Sequence, residues 1–146
     1  MSLLPPSTNA AFRGSRVAAW ALMALGVMTI CVGVIHFALP DGGIGVIAGV
    51  DLSSRRETIV SMAAWMGALQ IAHGVGMLLV GWRYRTLVPL FLALTALERG
   101  LMALDGWLLK GAKSAHHPPQ HYGSVLVLGL CLFLLAMSLR NTRAAN

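Results

Sequence analysis

Residues 17–39 read VAAWALMALGVMTICVGVIHFAL and contain no Asp, Glu, Lys or Arg. An apolar run of this length matches the roughly 20 residues that an α-helix needs to cross a bilayer. Arg13 and Arg16 precede the run, as in a secretory signal peptide. However, the run is too long for a signal peptide, and no convincing small-residue cleavage site follows it. We therefore interpret it as an uncleaved first transmembrane span.

Three further apolar runs predict three further spans, at 59–82, 86–109 and 122–139. Pro40, Asp41, Gly42 and Gly43 would end the first span, because these residue types form turns. Ser54 and Glu57 have the spacing of a capping box that would start the second. The sequence thus predicts an all-α fold, a four-transmembrane-helix bundle forming one domain over 17–139, with tails at 1–16 and 140–146.

The composition agrees with a protein that has the lipid bilayer as its main partner. Hydrophobic residues make up 57% of the 146 residues and charged residues only 11%, against roughly 25% charged in soluble domains. A domain this small has too much surface to hide so many apolar side chains from water. The net charge of +6 does not indicate nucleic-acid binding, because the basic residues lie at the ends of the apolar runs.

The distribution of Lys and Arg predicts the orientation. Arginine pairs without neighbouring acids occur in the N-terminal tail, the second loop and the C-terminal tail, at Arg13, Arg16, Arg83, Arg85, Arg140 and Arg143. The opposite side carries Arg55, Arg56, Lys110 and Lys113, with Asp41, Asp51 and Glu57 beside them. Cytoplasmic segments carry the excess of basic residues, so both termini should be cytoplasmic.

Glycines recur every seven residues on the first two spans. Gly26 and Gly33 lie on the first, and Gly67, Gly74 and Gly81 on the second. Small residues on one stripe let helix backbones approach closely in lipid, so close packing of these spans is expected.

Ionisable and amide side chains inside the spans are few and costly. They are His36, Gln70, His73, Glu98, Arg99 and Asp105. At about 1.5 Å per residue, Gln70 and the Glu98–Arg99 pair share a level near mid-membrane, and His73 lies deeper on the cytoplasmic side. Helical spacing puts Thr95, Glu98, Met102 and Asp105 on one face, which should look into the bundle.

These side chains allow two interpretations. In the first, a buried polar network of Gln70, His73, Glu98, Arg99 and Asp105 fixes helix packing. In the second, the same residues line a binding pocket, where Arg99 would hold an anionic or carbonyl group. Glu98 and His73 are then the candidate catalytic residues, because they can exchange protons.

The histidines suggest a possible metal site on the outer side. His36, His116, His117 and His121, near Asp105, offer imidazoles and a carboxylate of the kind that Zn²⁺ or Cu²⁺ prefers. Solvated loop histidines are the alternative, since no fixed ligand spacing is present.

No cofactor follows from the sequence. His36 and His73 differ by about 16 Å in depth, so they cannot be the axial ligands of one haem. Cys31 and Cys131 fall at similar depth and could meet if the first and fourth spans pack together. Otherwise they are free thiols acting as small apolar residues.

The order of features resembles small bacterial inner-membrane proteins of the DoxX-like and related kinds. A first span ends at Pro40, an Arg-bearing loop follows, the second span carries Gly67-Ala68-Leu69-Gln70, and the third ends in the stretch RGLMALDG at 99–106. The resemblance implies a multi-pass protein of the bacterial cytoplasmic membrane and no catalytic residue.

Several functions remain open on these grounds. The leading hypothesis is a subunit of a membrane complex or homo-oligomer, or a binder of a lipophilic small molecule. A membrane-embedded enzyme that moves a proton on a lipid or sterol-like substrate is one alternative, and an outer-face metal-binding protein is another.

Overall fold

The computed structural model describes residues 3–111 and 116–140, and these contain four long α-helices and no strand. The helices are α1 (Arg16–Ala38), α2 (Arg56–Arg83), α3 (Val88–Leu108) and α4 (Pro119–Leu139). Short 3₁₀ turns occupy Asn9–Ala11 and Arg85–Leu87, the second leading directly into α3. Every long helix is long and apolar enough to cross a membrane, so the chain is built as a multi-pass membrane protein.

The start of α2 differs from the sequence prediction. The helix begins at Arg56 and has 28 residues, and the residue before it, Arg55, has a left-handed backbone conformation with φ of 54°. No side chain caps the first turn. The predicted capping box of Ser54 and Glu57 is therefore wrong, because the chain enters the helix one residue later than that motif requires.

Glycines allow the backbones of α1 and α2 to pack at very short distance. A Cβ placed on Gly67 would lie 2.5 Å from the carbonyl oxygen of Gly33, and one on Gly74 would lie 2.7 Å from that of Gly26. Real side chains cannot occupy such positions, so these sites admit only glycine. The predicted close packing of the first two spans is confirmed, and it makes α1 and α2 one tight pair.

The remaining two helices, α3 and α4, form a second pair. Contacts between the α1–α2 pair and the α3–α4 pair are much fewer than contacts within each pair. We call the end where α1 begins and α4 ends the terminal end, and the opposite end the loop end. The two pairs meet through a dry core in the terminal half, formed by Ala18, Ala19, Leu22, Leu25, Met77, Val80, Val88, Leu92, Ala96, Cys131 and Leu134.

The cysteines have different environments. Cys131 belongs to this core and is fully buried, whereas Cys31 is exposed on α1, and both are free thiols. The possibility that they meet is therefore not realised.

The N-terminal segment lies across the α2–α3 turn. The Pro5 carbonyl accepts hydrogen bonds from the Arg83 guanidinium and the Tyr84 hydroxyl. Ser7 and Asn9 donate side-chain hydrogen bonds to the carbonyls of Arg83 and Trp82. These contacts tie the segment before α1 to the terminal end of α2.

The α1–α2 loop folds back on itself at the loop end. The Asp41 carboxylate accepts hydrogen bonds from the backbone N–H groups of Val46, Gly43 and Gly45. These donors stabilise the ionised form and hold the pKa of the Asp41 carboxyl below its usual value. His36 Nδ1 lies 2.6 Å from the Gly42 carbonyl oxygen, so the loop is fixed to the last turn of α1.

Candidate functional site

A cavity of about 400 Å³ lies between the two helix pairs in the loop half of the bundle. All of α1–α4 contribute to its wall: Leu25, Met28, Thr29, Val32, His36, Met66, Gln70, Thr95, Arg99, Met102, Asp105, Gln120, His121, Gly123, Ser124 and Val127. It exists because the pairs pack closely through the core of the terminal half and much less above it. Its size lies in the usual range for small-molecule sites.

The polar groups on this wall fall at two levels. Gln70, Thr95 and Arg99 lie in the middle of their helices, while Asp105 and His121 lie near the loop end. Methionine and aliphatic side chains make up most of the rest of the wall. Such a site suits a largely apolar molecule that carries a polar group at one end.

Arg99 and Gln70 have unused hydrogen-bonding capacity. Arg99 Nε and Gln70 Oε1 are buried, and neither has a hydrogen-bond partner within residues 3–111 and 116–140. A buried polar atom without a partner costs about 1–3 kcal/mol. Both atoms belong to residues on the cavity wall. Because the atoms themselves are covered in the empty site, a molecule in the cavity would supply the missing partners once these two side chains turn towards it.

The rest of the Arg99 guanidinium is held only weakly. Its Nη2 lies 3.6 Å from Glu98 Oε1, and its Nη1 lies 3.6 Å from the Met102 sulfur. Both distances exceed those of strong charge-assisted hydrogen bonds, which are about 2.7–2.9 Å. The side chain is only 17% exposed, so its positive charge is buried with little direct compensation.

Glu98 makes its closest contact with His73. His73 Nδ1 lies 3.0 Å from Glu98 Oε2, and the two side chains are 28% and 34% exposed. An ionised carboxylate can only accept, so Nδ1 is the donor of this hydrogen bond. Neither residue is among those that line the cavity.

The level of His73 differs from the depth expected from the sequence. His73 lies ten residues from the end of α2 at Arg83, and Glu98 lies ten residues from the start of α3 at Val88. Each is therefore about 15 Å from the terminal end. The sequence places His73 deeper because it ends the second span one residue before Arg83 and begins the third span two residues before Val88.

The face of α3 that meets the cavity also differs from expectation. Thr95, Arg99 and Met102, spaced i, i+4 and i+7, line the cavity together with Asp105. Glu98 points instead towards His73 on α2. A helix turns 100° per residue. Arg99 therefore lines the cavity, as expected, while its neighbour Glu98, which the predicted face included, does not.

The candidate metal ligands separate into local contacts. His36 bonds to the Gly42 carbonyl, and His116 Nε2 lies 2.7 Å from the Ala48 carbonyl oxygen. His117 Nδ1 lies 3.0 Å from His121 Nδ1, and the His117 ring stacks on Trp107. In the described part of the chain, no three His, Cys, Asp or Glu side chains come together as a metal site.

Of the hydroxyl groups on the wall, the sequence predicts an interior position for Thr95 and gives none for Thr29 and Ser124. Thr29 and Thr95 donate to the carbonyls of Leu25 and Phe91 one turn earlier, and Ser124 donates to that of His121. Spans often contain such hydroxyls bonded to their own backbone, so their presence gave no signal. Their oxygen lone pairs add weak acceptors to the cavity.

Comparison with protein-family models, with curated proteins and with solved structures finds no match for this chain.

Proposed function

We propose that this multi-pass membrane protein binds a lipophilic small molecule in the cavity between its helix pairs. The observation that carries the proposal is that Arg99 and Gln70, whose Nε and Oε1 have no hydrogen-bond partner among the described residues, both line one cavity. In the empty site these atoms cost free energy, and a ligand with a suitable polar group removes that cost. The apolar wall would hold the rest of the molecule.

The geometry favours binding over proton-transfer catalysis. A general acid or base must come within hydrogen-bonding reach of the substrate. His73 and Glu98, the residues best suited to exchange protons, contact each other and are absent from the cavity wall. Arg99, which does line the cavity, has a guanidinium that offers only hydrogen-bond donors.

Filling the cavity should abolish ligand retention without unfolding the protein. Gly123 lies on the cavity wall, and a Cβ added there would meet no atom within 4 Å. In Gly123→Phe, the aromatic ring should therefore occupy the cavity with little strain. We expect the purified variant to keep its melting temperature and to lose most of the lipophilic material that mass spectrometry finds in the unmodified protein.

Gly129→Phe is the matched control for this change. Gly129 is on the same helix, also has no atom within 4 Å of an added Cβ, and is exposed outside the cavity. This variant should retain the same material as the unmodified protein. Equal retention by Gly123→Phe and Gly129→Phe would contradict binding in the cavity.

A membrane-complex subunit or homo-oligomer is the second candidate, supported by the position of the His73–Glu98 pair. The pair lies in the middle of its helices and is still 28% and 34% exposed. Charged groups at this depth are costly against lipid, so cover from a polar group of another subunit would stabilise them. Ligand binding in the cavity and such assembly are compatible.

We propose further that both termini are cytoplasmic and that the membrane is a bacterial cytoplasmic membrane. The arginine pairs near the terminal end support this orientation, and the DoxX-like resemblance supports the location. A reporter that works only in the cytoplasm should be active when it is fused after Asn146. A reporter that works only on the outer side of the membrane should be active when it is inserted after Lys113, which lies outside the described residues. The reverse pattern would overturn the orientation.

A further inference from the structure

Arg99, Glu98 and His73 form a chain of charged and titratable groups that begins on the cavity wall and ends beside it. Arg99 lines the cavity. Its Nη2 lies 3.6 Å from Glu98 Oε1, and Glu98 Oε2 lies 3.0 Å from His73 Nδ1. With His73 neutral, the arginine and the glutamate cancel in charge. The three groups are therefore neutral in total when the cavity is empty.

We propose that the cavity takes a compact lipophilic molecule with a singly charged anionic head group on Arg99 and Gln70, and that binding is coupled to uptake of one proton by the His73–Glu98 pair. This inference rests on the proposed function and adds to it the chemical class of the ligand and a dependence on pH.

The head group is assigned from the donors that the site leaves free. The Arg99 guanidinium offers Nε–H, which has no acceptor among the described residues, and two Nη groups held at long distance. A guanidinium edge of this kind suits a carboxylate or a similar oxyanion. Gln70 can turn its amide to present N–H₂ to the same head group, so it fits an anion as well.

The depth of the site excludes the head groups of bilayer lipids. Arg99 lies eleven residues from the start of α3 and nine from its end, so it is about 14–16 Å from either end of the helix. Lipid head groups lie at the membrane surface, outside the hydrocarbon core of about 30 Å. The anion must therefore belong to a molecule small enough to enter the cavity as a whole.

The coupling follows from the charge balance. An anion on Arg99 would give the three groups and the ligand a net charge of −1 in a medium of low dielectric constant, where a net charge is costly. One proton from water, added to the free lone pair at His73 Nε2, restores neutrality. The hydrogen bond from Nδ1 to Glu98 stays intact, and the imidazolium then faces the carboxylate directly.

Other ionisable groups near Arg99, Glu98 and His73 do not replace the His73–Glu98 pair as the site of proton uptake. From α4, Cys131 lies in the buried core of the terminal half, and a thiol in its neutral form adds no charge. From α1, His36 lines the cavity at the loop end and is occupied by the Gly42 carbonyl. Asp105 and His121 line the same end, with Asp105 six residues from Arg99, about 9 Å along α3.

Octane-1-sulfonate tests the proposal because its head group stays ionised at every pH used, so any pH dependence belongs to the protein. Binding would be measured to the full chain in phosphatidylcholine nanodiscs between pH 6 and pH 9, with empty nanodiscs and octan-1-ol as controls. Uptake of one proton predicts that sulfonate affinity falls with rising pH, by up to about tenfold per pH unit. Octanol binding should be weaker and independent of pH.

Two variants should change the affinity for the sulfonate in opposite directions. Glu98→Gln removes the negative charge that the proton offsets, so sulfonate should bind tightly across the whole pH range. His73→Gln keeps a hydrogen-bond donor for Glu98 but cannot be protonated, so affinity at pH 6 should fall to that of the unmodified protein at high pH. A purely structural role for the pair would not give effects of opposite sign.

Failure of the inference is separable from failure of the proposed function. Sulfonate binding that is equal at pH 6 and pH 9, or weaker in Glu98→Gln, would overturn the proton coupling. Binding of octanol without binding of sulfonate would overturn the anionic head group and leave the cavity as a lipophilic site. If neither probe binds, the anion site is wrong, and the proposed function also falls if Gly123→Phe retains the same material as the unmodified protein.

Discussion

Replacing Gly67 with leucine is expected to destabilise the protein by about 3 kcal/mol or more, because the side chain must force two helix backbones apart. Even its Cβ would lie 2.5 Å from the Gly33 carbonyl oxygen and 2.8 Å from the Phe37 nitrogen. Backbone atoms cannot move aside as a flexible side chain can. The α1–α2 pair would have to separate along the whole contact between Gly33 and Gly67.

Thiol labelling during heating measures this effect. In a Cys31→Ala background, Cys131 is the remaining cysteine and is fully buried in the core, so it reacts only when the bundle opens. Gly129→Leu is the matched control, since an added Cβ meets no atom within 4 Å there. Gly67→Leu should label at a much lower temperature, and Gly129→Leu should stay close to the background protein. Equal labelling temperatures would contradict the close α1–α2 contact.

The sequence was sufficient to predict the four helices and the close contact between the first two. Each span is a long apolar run, which in lipid has few alternatives to a helix because every backbone polar group needs an internal partner. The glycine stripes of α1 and α2 predicted their contact for a related reason: without a hydrophobic force between helices in lipid, close backbone approach needs small residues.

The arrangement of the polar side chains was much harder to predict. A step of one residue turns a helical position by 100°, which is enough to put Arg99 on the cavity wall and its neighbour Glu98 against His73 on α2. Errors of one residue at the end of α2 and two residues at the start of α3 changed the apparent level of His73 relative to Glu98. Such errors are small on the scale of a span and decisive on the scale of a hydrogen bond.

The cavity itself had no signature in the sequence. It depends on the loose contact of the α1–α2 pair with the α3–α4 pair above a shared core. The residues that line it come from all of α1–α4, and most are ordinary Leu, Met and Val side chains. Of the lining residues, the sequence predicts Gln70, Arg99 and Asp105 as binding residues, since charged and amide groups are rare inside spans. It offers His36 and His121 as metal ligands instead, and it places Thr95 and Met102 on the interior face of the third span.

Glu98→Gln is expected to lower the thermal stability in detergent. The substitution keeps the shape and a hydrogen-bonding group for His73 but removes the carboxylate 3.6 Å from Arg99. A charge left alone near the middle of a span costs about 2.5–3.5 kcal/mol, and the partial exposure of Glu98 makes this an upper bound. The labelling temperature of Cys131 in the Cys31→Ala background measures the loss, and an unchanged temperature would mean that Glu98 does not stabilise Arg99.

Adding Arg99→Met to Glu98→Gln should restore most of that stability, because the double change removes both charges and leaves no unpaired ion in the interior. The same double variant should not bind octane-1-sulfonate, since the guanidinium that faces the cavity is gone. Glu98→Gln alone should be less stable than the unmodified protein and bind the sulfonate at least as well at neutral pH. The two variants thus separate the contribution of the charges to folding from their contribution to binding. Sulfonate binding by the double variant would show that Arg99 does not hold the anion, whatever the stabilities prove to be.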